Sequence, residues 1–168
     1  MEIFRGGKLV IEKTKVRLPN GMEREQVIIH PKGAVAILPV TETGYLLLRQ
    51  YRYAVGQYIF EAPAGTMEDG EDPEKTARRE LIEEAGVAAA TLVPRGFIYT
   101  TPGFTDERIW LFEARGLTPS HEYEKDADEV IEVKRVTREE TDKMVQDGTI
   151  CDAKTICLLH RCQRGDKT

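Results

Sequence analysis

The sequence predicts an α+β fold in which a mixed central sheet is flanked by helices and preceded by N-terminal antiparallel strands. Three observations predict it. The N-terminal part carries two runs rich in Val, Ile and charge with a turn signal between them, and two apolar runs of strand length follow. The remaining strands and helices then intermix without a regular βαβ rhythm. With 168 residues, 40% of them hydrophobic, the chain can bury one compact core.

Residues 9–18 and 23–30 read as strands, and Pro19, Asn20 and Gly21 between them are a hairpin signal. "GAVAILPV" at 33–40 and "YLLLRQY" at 45–51 are apolar runs of the kind that lies buried on both faces, and they are expected in the central sheet. A helix is expected over 73–85. Asp72 can accept from the unpaired first amides, Pro73 at the first helical position sacrifices no bond, and Gly86 supplies the stop. Strands follow at 96–100, 108–114 and 130–136, with helices at 138–146 and 153–163.

Composition narrows the function. Charged residues make up 32% of the chain, and a net charge of -5 argues against a protein built to grip nucleic acid or an acidic membrane. No stretch approaches the roughly 20 apolar residues of a membrane span, and the N-terminus lacks an apolar targeting region. Cys151, Cys157 and Cys162 have no paired spacing suited to zinc and read as reduced thiols. A cytoplasmic protein acting on a small molecule or a cation is expected. His30, His121 and His160 are too scattered for a metal site and are read as structural or surface residues.

The helix at 73–85 breaks local rules twice in one direction. Ala77, Leu81 and Ala85 recur every four residues as a stripe for the sheet, while Glu80, Glu83 and Glu84 crowd beside it at helical spacings. Each like-charge pair costs roughly 0.2–0.5 kcal/mol. Glu83 and Glu84 also face the negative end of the helix dipole, at about 0.3–1 kcal/mol each. One reading is a solvated face neutralised by Arg78 and Arg79. The other is a divalent cation that reverses the repulsion, and hard carboxylate oxygens suit Mg²⁺ or Mn²⁺.

The spacing around the helix favours the cation. Gly65, Glu71, Arg79, Glu80, Glu83, Glu84 and Gly86, with apolar Leu81 and Val87, match every position of G-x5-E-x7-R-E-U-x-E-E-x-G-U, where U is a bulky aliphatic residue. This resembles the Nudix hydrolase signature, and the resemblance implies an α/β/α sandwich containing a loop-helix-loop motif. It assigns residues 33–168 to the hydrolase domain and residues 1–32 to strands with a role in dimerisation. Gly65 would let the backbone bring the Ala64 carbonyl near a metal held by Glu80 and Glu84, with Glu83 ligating directly or through water. Glu71 and Arg79 would fix the scaffold.

The family hydrolyses a nucleoside diphosphate linked to another moiety, which requires charge neutralisation and a base for the attacking water. The acid-rich stretch at 120–133 matches the loop that carries the base in relatives. Glu129 is the first choice, with Glu124, Asp126 and Asp128 behind it, and a solvated loop without a role remains the alternative. Glu132 is read as part of the following strand.

"TTPGFTDE" places Pro102 and Gly103 where the ADP-ribose pyrophosphatase group carries its mark, and "LLRQYRYAVGQYIFEAPAG" and "DAKTICLL" are also similar to that group. The resemblance therefore implies Mg²⁺-dependent hydrolysis of ADP-ribose to AMP and ribose 5-phosphate. Arg52 would meet a phosphate. In a homodimer with crossed N-terminal strands, Arg24 would reach the partner's adenosine site. Tyr51, Tyr53 and Tyr58 would fill core or interface, or stack on a base. The alternatives are a hydrolase of another nucleotide sugar such as GDP-mannose, and a silent nucleotide-binding module, against which the complete glutamate set speaks.

Overall fold

In the computed structural model, residues 1–123 and 130–165 are described, the last three of these as backbone only. Thirteen elements appear among them. Strands β1 (Glu2–Gly6), β2 (Leu9–Arg17) and β3 (Glu23–Pro31) form an antiparallel sheet of their own, with Val16 opposite Arg24. The expected hairpin at 9–30 is present, and β1 is an additional strand that its exposed, non-alternating residues did not signal.

β4 (Ala34–Pro39) and β5 (Gly44–Arg52) occupy the two apolar runs, but they fall in different sheets. β4 lies between β7 (Ala64–Thr66) and β9 (Arg108–Pro119), with β8 (Val87–Tyr99) beyond β9. β5 lies between β6 (Gln57–Glu61) and β10 (Ile131–Thr137). The β4–β9 pair is parallel and its neighbours are antiparallel, so the sheet holding the motif is mixed as expected.

Alternation along β4 builds the sandwich. Val35 and Ile37 point into one cluster with Ala77, Leu81 and Ala85 of α1 (Pro73–Ala85). Ala36 and Leu38 point into the other, with Leu158, Leu159 and Cys162 of α3 (Ala153–Gly165). A strand with a helix on each face has no polar side to spare, which is why residues 35–39 read as a continuous apolar run. Leu81 is fully buried, a contribution of about 1.5–3 kcal/mol. In that second core the Cys162 thiol is pushed up to about 12 by burial, with the Glu113 carboxylate adding to it, so it behaves as a small apolar filler. α2 (Arg138–Gln146) starts with a capping box between Thr137 and Glu140.

The N-terminal sheet is tied to the β8–β9 loop. Ile29 N donates to the Phe104 carbonyl at 2.8 Å, and His30 Nδ1 lies 2.7 Å from Asp106 Oδ2. No helix among the described residues is long and apolar enough to cross a membrane.

Candidate active site

The site is set by where α1 begins and ends. Asp72 Oδ1 accepts from the amides of Glu74 and Lys75 at 2.9 and 3.3 Å, with Pro73 following. Gly86 closes the helix in the left-handed region, at φ 67°, and its amide donates to the Ile82 carbonyl. These caps lock the helical phase, so burying Ala77 and Leu81 on β4 turns Glu80 and Glu84 toward β7. Both glutamates are nearly buried, at 9% and 4% exposure.

β7 receives them. Ala64 N donates to Glu84 Oε2 at 2.7 Å. Gly65 lies so close to Glu80 that a Cβ on it would stand 1.9 Å from the Glu80 carboxyl carbon. A glycine is therefore required here, to admit the Glu80 carboxylate against the strand. The contact seen at Ala64 is its N–H on Glu84.

Arg79 holds the acids apart. Its Nη1 donates to Glu80 Oε1 and to Glu83 Oε2, both at 2.8 Å, and its Nη2 lies 3.5 Å from Glu71. Burial opposes the charged guanidinium, yet Glu80 and Glu83 outweigh that and hold it above its ordinary range. Glu71 in turn accepts from the Glu68 amide at 3.1 Å, and this bond, with Thr76 and Arg79 adding to it, keeps its carboxyl below the usual range. Arg78 takes no part in the cluster, because it binds Glu74 and the Ala89 carbonyl.

The sequence reading placed three carboxylates on one patch. Glu80, Glu83 and Glu84 do share one cleft, but Arg79 stands between Glu80 and Glu83, so no three His, Cys, Asp or Glu side chains form a ready cage among the described residues. Neutralisation is incomplete all the same. One guanidinium among Glu71, Glu80, Glu83 and Glu84 leaves a formal excess of negative charge, and the donors are hard oxygens set against a glycine cradle. Those features fit Mg²⁺ or Mn²⁺.

The cleft of about 250 Å³ is lined by Gly65, Glu80, Glu83 and Glu84, with Arg52 and Lys8 contributing positive charge. A larger cavity of about 440 Å³, lined in part by Thr41, Val87, Leu117 and Arg135, holds none of the motif carboxylates. Chemistry therefore favours the smaller one. Arg52 Nε and Nη2 donate to Glu61 at 2.6 and 2.9 Å. The guanidinium over the neighbouring Tyr58 is that of Arg49, 4.0 Å from the centre of its ring.

The other expected residues that the structure describes do not line this cleft. Arg24 is exposed on β3, and Pro102 and Gly103 are exposed in the loop between β8 and β9. Tyr51, Tyr53 and Tyr58 are exposed at 45%, 90% and 43%, which removes them from this protomer's core. Glu132 sits in β10, paired with Lys134. Glu124, Asp126, Asp128 and Glu129 lie outside the described residues. Sequence reasoning missed Lys8, which the β1–β2 turn delivers to the cleft, and Glu61, a buried acid just upstream of the motif. The signal for Glu61 was a charged residue directly after the apolar stretch 58–60; Lys8 had none.

Comparison with known proteins agrees with this geometry. The profile of the NUDIX domain matches residues 30–159. Over 164 residues the chain is 42% identical to an ADP-ribose pyrophosphatase of Bacillus subtilis, covering 96% of this chain and 89% of the relative. It is 35% identical, with the same coverage, to a methanol dehydrogenase activator of Bacillus methanolicus. The fold superimposes on the crystal structure of an ADP compounds hydrolase with a TM-score of 0.88, covering 99% of this chain and 91% of that one at 22% identity. Signature, sandwich and acid-lined cleft converge with these likenesses on one conclusion: the chain belongs to the Nudix family.

Proposed function

We propose that the protein is a Mg²⁺-dependent Nudix pyrophosphohydrolase that cleaves ADP-ribose to AMP and ribose 5-phosphate. The observation that carries this reading is the surplus of carboxylate charge around Gly65, facing a cleft that also presents Arg52 and Lys8. The 42% identity to an ADP-ribose pyrophosphatase supports the substrate.

Glu80 and Glu84 would hold the cation, with Glu83 joining directly or through water and the Ala64 carbonyl as a further proposed ligand. The bound cation supplies charge neutralisation for the diphosphate and acidifies water. The chain's own residues do the rest. Arg79 keeps the motif loop on the helix through Glu71 and shares out the acids before substrate arrives. Arg52 binds a phosphate oxygen, and a guanidinium with five N–H donors can do so while one edge stays on Glu61. Glu129, which precedes β10 in the sequence, is the proposed base for the attacking water.

A cleft of about 250 Å³ suits the diphosphate better than a whole nucleotide sugar, so the adenosine needs further walls. A second copy is the proposed source, bringing Arg24, while Pro102 and Gly103 shape the far side. Residues 1–32 would form the dimer unit, since their sheet leaves Ile3, Phe4, Met22 and Val27 exposed. A monomer in sedimentation equilibrium would remove this part of the reading. The acidic balance and three thiols without disulfides fit a cytoplasmic location, which cell fractionation would test.

The decisive measurement is hydrolysis of ADP-ribose beside GDP-mannose and other nucleotide sugars, with Mg²⁺ and with a chelator. ADP-ribose is expected to turn over fastest, giving AMP and ribose 5-phosphate, with no turnover once the metal is removed. Preference for GDP-mannose would move the protein to another substrate, and binding without cleavage would make it a silent module. In the same assay Glu129→Gln should lower the rate by about 10²–10⁴-fold and leave metal affinity intact. Full activity in that variant would pass the base role elsewhere.

A further inference from the structure

The segment "DAKT" opens α3, far from the motif in sequence, and the reaction just described gives it no task. In the fold it meets the end of β6 through two links, braced by Asp152. Lys154 Nζ binds Glu61 Oε2 directly, and Ala62 N donates to Thr155 Oγ1 at 2.8 Å. Asp152 anchors both partners: its Oδ1 lies 3.0 Å from Lys154 Nζ, and its Oδ2 accepts from Thr155 Oγ1 at 2.6 Å and from Thr155 N at 3.0 Å. Thr155 is fully buried, Glu61 is 1% exposed, and the Lys154 side chain is 12% exposed.

Glu61 is thus a buried carboxylate gripped from two sides. Burial pushes its carboxyl up, yet Arg52 and Lys154 outweigh that and hold it below the usual carboxylate range. One cation would be enough to avoid an uncompensated buried charge. What the second one adds is orientation. Arg52 engages both Glu61 oxygens side-on, so the plane of the carboxylate sets the plane of the guanidinium. Lys154 holds Oε2, the same oxygen that Arg52 Nη2 engages, and so limits rotation of that carboxylate. Of the charged groups in this network, Arg52 is the one that also lines the cleft with Glu80 and Glu84.

We propose that Lys154, acting through the buried Glu61, is a positioning residue that aims the Arg52 guanidinium at the diphosphate. The first turn of α3 then sets phosphate recognition in a cleft it does not line. This inference rests on the phosphate role assigned to Arg52 above.

The test is calorimetric binding of ADP to the full-length wild type, Lys154→Met, Arg52→Ala and the double variant, with ADP-ribose kinetics in parallel. Lys154→Met is expected to weaken ADP by about tenfold while circular dichroism stays native, because a misaimed fork loses most of its advantage. In hydrolysis the loss should fall on KM more than on kcat. The double variant should be no weaker than Arg52→Ala alone, the signature of one residue acting through the other. Lys154→Arg, which keeps a cation on Glu61, should recover most of the affinity.

Unchanged ADP affinity in folded Lys154→Met overturns the proposal, as does full additivity with Arg52→Ala. Should Lys154→Met not fold, Lys154→Gln carries the same comparison, since it keeps an N–H donor for Glu61 and loses only the charge. Absence of ADP-ribose hydrolysis in the wild type would overturn the assigned reaction, while the ADP cycle would still decide the Lys154 claim.

Discussion

Replacing Glu84 by Gln is expected to leave a folded protein whose kcat has fallen by about 10²–10³-fold, the range seen when one preorganised electrostatic group is removed from an active site. Glu84 is 4% exposed and accepts from Ala64 N at 2.7 Å. The amide oxygen of Gln can keep that bond, so the strand-to-helix contact survives and stability changes little. What goes is one formal negative charge from the set proposed to hold Mg²⁺. Metal titration should show weakened binding, and excess Mg²⁺ should recover part of the rate. Wild-type turnover in a folded Glu84→Gln would take Glu84 out of the metal site and leave its contact with Ala64 purely structural.

Gly65→Ala is the second large effect, and it acts by volume alone. The new methyl would meet Glu80 at 1.9 Å from its carboxyl carbon and 2.0 Å from Oε1, distances no packed pair can hold. The clash is with the end of a side chain and not with backbone, so Glu80 must swing away while β7 stays on β4. Overpacking of this kind costs about 1–3 kcal/mol, and a modest fall in Tm is expected. Activity should fall much further than stability, because Glu80 is displaced from the cleft while Arg79 loses one of its partners. A variant with lowered Tm and unimpaired kcat would show that the position of the Glu80 carboxylate is immaterial to the reaction.

The two effects illustrate how differently the parts of the site were legible. α1 was readable to the residue, since its start is a local bond from Asp72, its end is a left-handed glycine, and its acids sit at spacings dictated by 3.6 residues per turn. α2 stands where a helix was expected, and the structure shows its start held by a capping box between Thr137 and Glu140. β6 and β7 were not readable. β7 is the three residues Ala64–Thr66, too short for any periodicity, and it exists because β4 offers an edge to pair with. β8 runs on from Gly86 well before the stretch read as strand, since its long antiparallel partner β9 carries it across Ala and Pro residues that alone favour no strand.

The class of bond broken came from the resemblance to the Nudix signature; what the sequence determined by itself was the helix, its caps and the surplus of acids on it. Each of these rests on interactions between residues a few positions apart, whose geometry the backbone period sets in advance. The tertiary structure alone decided that β4 and β5 part into different sheets, and that Arg52 is tethered to Glu61 and through it to Lys154. Strand partners are not set by local period, and Glu61 and Lys154 stand 93 residues apart. Several cations in the chain could have met Glu61 on charge alone, and only the packing of α3 and β6 against a common core selects Lys154.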